Sequence, residues 1–344
     1  ASPPLFRAAT WKKESGETLL LLDLHHLIGD GLSTSLFLER LDRCYRGKSL
    51  HKPSLRYIDY AHYLAQERQI DLTYWEETLP KEPVELPTDL PRQRTFDYRG
   101  EQHRFQLDRW TAQACRDYCA QRGISLFTLL AGVFGILLSK ISGADSLSLG
   151  TPMAGRNHSQ LDQMLGCFVS TLPLTLTPNA SAAVRDYLAD TGKRIMELLD
   201  RQDTPLERLL PLGKNPHSLG GNPLYSALFS LRPKSEESLA LDGHPLNLIP
   251  IPTHTAKLEL SLEAAPQADG IAFTLEYASS LFEEATIALY GRCYRTILGE
   301  ILADDSRAIG ALAVLSPSDR FRLWDQHNQT KIPFLKLPLD VQID

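Results

Sequence analysis

His25, His26, Asp30 and Gly31 occur together in the run His25-His26-Leu27-Ile28-Gly29-Asp30-Gly31. A histidine titrates near neutral pH, so it can take a proton from a nucleophile and later release it. Asp30 can fix a turn by accepting loop N–H groups or an arginine. Gly31 lets the backbone come close to a ligand and can present an N–H to a developing oxyanion. The same residues also fit a plain structural reading, in which two histidines pack at a strand end and Asp30 caps the loop. A bare HxxxD is weak evidence for chemistry, whereas the full HHxxxDG after an apolar strand is much stronger.

The surrounding elements would place this run on a strand-to-helix loop, a usual place for reactive groups. Glu17 to Leu24 is a nearly continuous apolar stretch that predicts a buried strand ending at His25. Gly29 and Gly31 break it, and Ser33 is the candidate N-cap of a helix over Thr34 to Leu41. Tyr57 to Leu79 reads as a second helical segment. Lys81 to Arg94, punctuated by Pro83, Pro87 and Pro91, reads as a linker between lobes.

Beyond the linker, strands are expected over His103–Leu107, Ser146–Gly150, Leu172–Thr177, Leu224–Leu231, Leu258–Glu263 and Ile271–Tyr277. Helices are expected over Ala112–Cys119, Ser125–Ile141, Ser181–Leu199 and Phe282–Leu302. Ser125 caps the second of these and Gly143 closes it, while Ser181 supplies the N-cap of the third. Strands and long helices without regular βα alternation predict an α+β sandwich rather than a doubly wound sheet.

A net charge of −6 and the lack of a basic stripe argue against nucleic-acid binding. The longest apolar stretch, Leu126 to Leu138, is shorter than the roughly 20 residues a membrane span needs. Apolar residues make up 43% and charged residues 23%, as in a soluble globular protein with a buried core. The five cysteines, Cys44, Cys115, Cys119, Cys167 and Cys293, are odd in number and thinly spread, which suits a reducing cytoplasm. Cys115 and Cys119 share a helical face, but no nearby His pair completes a zinc site. The N-terminus has no signal-peptide pattern. It also lacks an initiator Met and enters a strand at once, as an excised piece of a longer polypeptide would.

HHLIGDG, preceded by LLLLDL and followed by LSTSLFLERL, resembles the core motif of nonribosomal peptide synthetase condensation domains. Further segments match that family in its own order. Tyr57-Ile58-Asp59-Tyr60-Ala61 resembles YxDYA, and Tyr74-Trp75 through Leu79 resembles the YW signature. Gly150 to Arg156 resembles GTPxAGR, and Gly166 to Thr171 resembles GxFVNT with Ser170 in place of Asn. Arg201 to Glu207 resembles HQDxPFE with Arg for His and Leu for Phe, and Asn222-Pro223-Leu224 matches the NPL ending of the last motif without its RDxSR prefix.

The resemblance covers the chain from Pro4 to about Gln329, and it implies a two-lobed, V-shaped chloramphenicol-acetyltransferase-like α/β sandwich. The family's first two motifs are absent, so the N-terminal lobe is expected to be incomplete. Residues 1–90 would be its remainder, 91–330 the C-terminal lobe and 331–344 a tail or linker.

The family's activity implies an amide bond between a donor acyl or peptidyl thioester and the amine of an aminoacyl acceptor. Both substrates ride on 4'-phosphopantetheine arms of carrier domains; the domain binds no cofactor of its own, and an adenylation domain is an expected neighbour. His26 would act on the acceptor amine as general base or as the hydrogen-bonding group that orients it, and the Gly31 N–H would contact the oxyanion. His25 and Asp30 would be structural, with Asp30 paired to Arg156. Tyr57, Tyr60 and Trp75 read as packing aromatics. An epimerization domain and a non-catalytic condensation-like recruitment module are the alternative readings. Plant-type acyltransferases share HxxxDG but carry a DFGWG motif that this chain lacks.

Overall fold

The fold is given by a computed structural model, which describes residues 3–50, 55–65, 71–80, 84–213, 222–232, 240–247, 249 and 251–326. The expected tail at 331–344 lies outside the described residues, as does the 81–83 portion of the expected linker. The chain begins with β1 (Phe6–Lys12), β2 (Thr18–Leu24), α1 (Gly31–Tyr45), α2 (Tyr57–Ala65) and α3 (Thr73–Thr78). Next come β3 (Gly100–Asp108), α4 (Arg109–Arg122), α5 (Leu126–Ser142), β4 (Leu147–Met153) and β5 (Ser170–Leu176). Then follow α6 (Val184–Asp200), α7 (Leu206–Leu209), β6 (Ala227–Leu231), β7 (Ala240–Leu241) and β8 (His244–Pro245). The described part ends with β9 (Leu260–Gln267), β10 (Gly270–Ala278), α8 (Glu284–Ala303) and α9 (Pro317–Arg320).

Six strands form one mixed sheet in the order β3-β10-β9-β6-β4-β5. β6 runs parallel to both β4 and β9, and the other neighbours are antiparallel. Helices α4 to α8 pack against this sheet, with α5 in contact with α4, α6 and α8. Leu129 through Leu138 of α5 are all buried, which is why its sequence is apolar on every side. Ser125 caps α5 and Gly143 ends it at φ 74°, as the local signals predict. Phe105 of β3 stacks on Phe273 of β10 at 4.8 Å, and Tyr294 of α8 closes over both rings. Trp75 of α3 and Leu86 are buried in this same core. Among the described residues no single helix is long and apolar enough to cross a membrane.

Local expectations fail where a distant segment decides the outcome. β2 is not fully buried: Leu22 and Leu24 are half-buried, whereas Leu19, Leu20 and Leu21 are exposed. β1 and β2 pair only with each other among the described residues, and their one ring contact with α1 is Phe6 against Phe37, 5.3 Å between centroids. The helix expected over Tyr57–Leu79 is two helices, α2 and α3, with 66–70 between them outside the described residues. Ser181 does not cap α6; its side chain bonds Asn179, and the N-cap position is Ala183. The backbone of another segment serves instead, because the Val184 and Arg185 N–H groups donate to Arg307 O and Asp305 O.

Candidate active site

β2 delivers the chain to His25, whose backbone N–H donates to Leu5 O at 2.9 Å. His25 stays extended, and its Nδ1 accepts the Leu27 N–H at 3.2 Å, capping a single 3-10 turn over His26–Ile28. His25 thereby shapes the loop, and His26, first in that turn, keeps an exposed side chain. Gly29 is extended, and Asp30 then starts α1.

The N-cap of α1 is Asp30, not Ser33: Asp30 Oδ1 accepts the Ser33 N–H at 2.8 Å. Because Asp30, three residues earlier, caps the helix, the Ser33 hydroxyl can reach beyond α1. Its Oγ lies 2.8 Å from Asp30 Oδ1 and 2.7 Å from Gly166 O, and accepts the Gly166 N–H at 3.1 Å. Gly31 is the first residue of α1, and a Cβ there would meet nothing within 4 Å. Its N–H is one of the helix-start donors that α1 itself cannot satisfy.

Arg156 comes to this loop from the turn after β4. Its Nη2 donates to Asp30 Oδ1 at 3.2 Å and to Ser33 Oγ at 3.2 Å, and its Nη1 donates to Met164 O at 2.8 Å and to Leu161 O. The guanidinium also lies over the Phe168 ring, 4.0 Å from its centroid. Burial alone would raise the Asp30 pKa. The Ser33 N–H and hydroxyl, the Phe168 N–H and the Arg156 charge outweigh it and hold the carboxyl below its ordinary value.

The segment Gly166-Cys167-Phe168 is clamped along its length. Ser33 holds Gly166, Tyr57 Oη donates to Cys167 O at 2.6 Å, and the Phe168 N–H donates to Asp30 Oδ2 at 3.1 Å. Phe168 forms a small apolar cluster with Leu161 and Met164, against which Tyr57 and Tyr60 pack. Cys167 Sγ then lies 3.4 Å from His26 Nδ1. Burial pushes the Cys167 thiol pKa up, Asp30 adds to the rise, and a hydrogen bond with the Val169 backbone opposes it.

Other motif segments also meet in space. Asn157 Nδ2 donates to both Asp203 oxygens at 2.7 Å, and Arg201 covers the Tyr74 ring at 4.0 Å. A Cβ on Gly150 would strike the Tyr225 ring at 2.4 Å, so β4 and the residue after Asn222-Pro223-Leu224 touch there. Of the sequence candidates, His25, His26, Asp30, Gly31 and Arg156 fall in one locality or on its direct partners. Ser33, expected as a helix cap, Tyr57, expected as a packing aromatic, and Cys167, which the sequence leaves without a role, also bond within this locality. The sequence signals for the last two are their places in the YxDYA-like and GxFVNT-like stretches. Among the described residues no cluster of three or more His, Cys, Asp or Glu side chains could hold a metal ion.

This fold and site define a condensation-type α+β protein, and comparison makes the assignment definite. The condensation domain family model matches residues 1–323, and the chain belongs to that family. Surfactin synthase subunit 1 of Bacillus subtilis (strain 168) is 31% identical over 337 residues, covering 96% of this chain and 9% of that protein. Tyrocidine synthase 3 of Brevibacillus parabrevis is 30% identical over 347 residues, covering 99% of this chain and 5% of that protein. The chain therefore spans less than a tenth of the length of these two relatives.

Among solved structures, a holo four-domain nonribosomal peptide synthetase bound to AMP and glycine superposes with a TM-score of 0.82 at 21% identity, covering 92% of this chain and 26% of that one. The X-domain from teicoplanin biosynthesis gives 0.79 at 22% identity, covering 90% of this chain and 75% of that one. These likenesses show the fold, the chloramphenicol-acetyltransferase-like architecture that the sequence resemblance implies.

Proposed function

We propose that this chain forms an amide bond between two carrier-tethered substrates, with His26 acting on the acceptor amine. Residues 1–90 and 91–330 would be the two lobes that carry the site. The amine nitrogen attacks the donor thioester carbonyl, the C–N bond forms, the C–S bond breaks, and the donor arm leaves as a thiol that takes up the amine's proton. A thioester is already activated, so the domain's contribution is chiefly to position two tethered reactants. The phosphopantetheine arms are substrates supplied by partner carrier domains. An adenylation domain is the expected neighbour that loads the acceptor.

The observation that carries this reading is an intact HHxxxDG loop locked from below and open above. Asp30 is consumed by Ser33, Phe168 and Arg156, while His26 is exposed and Gly31 faces open space. His26 can accept from the amine as base or as orienting group, and the Gly31 N–H can contact the oxyanion.

The test is amide formation from a loaded donor and a loaded acceptor carrier, comparing the parent with His26→Ala. Product on the acceptor carrier, lost in the variant, is the expected result. Full turnover by His26→Ala would remove the assigned role. Inversion of the acceptor's α-carbon without amide formation would favour an epimerization domain instead. Absence of both reactions would favour a recruitment module.

A further inference from the structure

Both roles open to His26, taking a proton from the amine or orienting it, need a ring nitrogen with a free lone pair. A neutral imidazole has one such nitrogen, and the hydrogen bond made by the other decides which. In this structure Nδ1 faces Cys167 Sγ at 3.4 Å, within sulfur hydrogen-bonding range. We infer that Cys167 is a positioning residue for His26: the Nδ1–H donates to Sγ, which orients the ring and leaves Nε2 as the acceptor for the amine. The inference rests on the condensation reading and adds to it a residue outside the HHxxxDG run.

The sulfur is well held for such a task. Three clamps fix the backbone on which it sits, from Ser33 to Gly166, from Tyr57 to Cys167 O and from the Phe168 N–H to Asp30. None of them uses the Cys167 side chain, so that side chain can be exchanged without releasing the segment. Asp30 cannot take its place as the histidine's partner. Its oxygens are occupied by Ser33, Phe168 and Arg156, and no carboxylate bonds the His26 ring among the described residues.

The charge state of the thiol also fits. A thiolate beside His26 would draw a second proton onto the ring and leave an imidazolium with no lone pair. The groups facing Cys167 are His26, Tyr57 of α2 and Asp30 at the start of α1, with the Arg156 charge directed at Asp30. Burial, followed by the Asp30 charge, keeps the thiol protonated against the opposing Val169 backbone bond. Asp30 thus tethers the loop and adds to the burial that disfavours a thiolate beside the histidine.

The test pairs nitrogen NMR of the histidine-labelled chain with steady-state kinetics of amide formation from loaded carriers. His26→Gln identifies the His26 ring signals by their loss. The parent should carry its ring proton on Nδ1, and Cys167→Ala should shift the ring toward the Nε2-protonated form. In the same variant kcat should fall about tenfold with KM for the loaded carriers little changed, as expected for lost orientation at the reacting atom. Cys167→Ser keeps a small acceptor and should recover most of the loss. A parent ring protonated on Nε2, or a Cys167→Ala variant with unchanged ring signals and kcat, overturns the inference. A parent that makes no amide overturns the condensation reading instead, while the ring signals still judge Cys167.

Discussion

Asp30 and Arg156 are separated by 126 residues in the chain, yet their side chains meet at 3.2 Å with exposures of only 6% and 3%. The pair ties the start of α1 to the turn after β4, and Ser33 and Phe168 complete the tie. Removing one partner leaves the other as an uncompensated buried charge, which typically costs about 3–5 kcal/mol. Asp30→Asn and Arg156→Met should each lower the unfolding free energy by an amount of that order. The double variant should lose clearly less than the sum, because no lone charge is left. Urea unfolding of the four proteins gives the coupling directly, and additive losses would show that the pair is not energetically linked.

The same carboxylate makes stability depend on acid. The folded Asp30 pKa is depressed below the ordinary aspartate value, so the folded state favours the ionised form. Its contribution is therefore fully present above that ordinary value and is lost as pH falls through the lower folded-state value. The stability difference between parent and Asp30→Asn should be constant near neutrality and narrow in strongly acidic solution. Unfolding midpoints measured across that range check it, and a difference that holds at the acid end would mean that Asp30 is not the group responsible.

His25 and His26 should separate cleanly on substitution. His26 is exposed, and among the described residues its side chain makes no hydrogen bond other than the Cys167 contact, so His26→Ala should keep the parent's thermal midpoint. Its amide-forming rate should fall by about 10²–10⁴-fold, the usual contribution of a positioned acid–base group. His25 instead accepts the Leu27 N–H, a bond an asparagine side chain can imitate two residues before its donor. His25→Asn should retain most of the rate, whereas His25→Ala should lose about 1 kcal/mol of stability along with some activity. Equal kinetic losses in His25→Asn and His26→Ala would contradict the division of roles.

The parts of this architecture that were legible from sequence are those decided locally. Ser125 and Gly143 bracket α5 because cap and stop lie beside the helix they serve. The HHxxxDG run is contiguous, so its loop could be placed between β2 and α1 without knowing anything else. Partners supplied from afar left no local trace. Ser33 looks like a cap because it precedes an apolar helix, but Asp30 takes that role and Ser33 turns to Gly166. The α6 start is satisfied by the backbone at Asp305 and Arg307, which no side-chain pattern records. Cys167 and His26 lie 141 residues apart in the chain, so no local pattern records their contact. The Asp30–Arg156 contact could be anticipated because a buried carboxylate needs a cation.

Gly166 offers the sharpest test of how the clamped segment supports the site. A Cβ there would stand 2.1 Å from Cδ2 of the Tyr57 ring, far inside van der Waals contact, so the glycine is required by close approach. Tyr57 cannot simply swing away, because its hydroxyl bonds Cys167 O at 2.6 Å and its ring packs edge-on to Phe168. Gly166→Ala must therefore displace either the ring or the segment, an overpacking cost of about 1–3 kcal/mol. Displacing the segment would also move the Phe168 N–H from Asp30 and Cys167 Sγ from His26, so amide formation should fall with stability. Tyr57→Ala makes room for the new methyl but removes the ring and its hydrogen bond. In the Gly166→Ala background it should therefore cost less than it does in the parent. A double-mutant cycle on unfolding free energy and single-turnover rate measures this coupling. Two substitutions that add in both readouts would show that Gly166 and Tyr57 do not hold the site through one another.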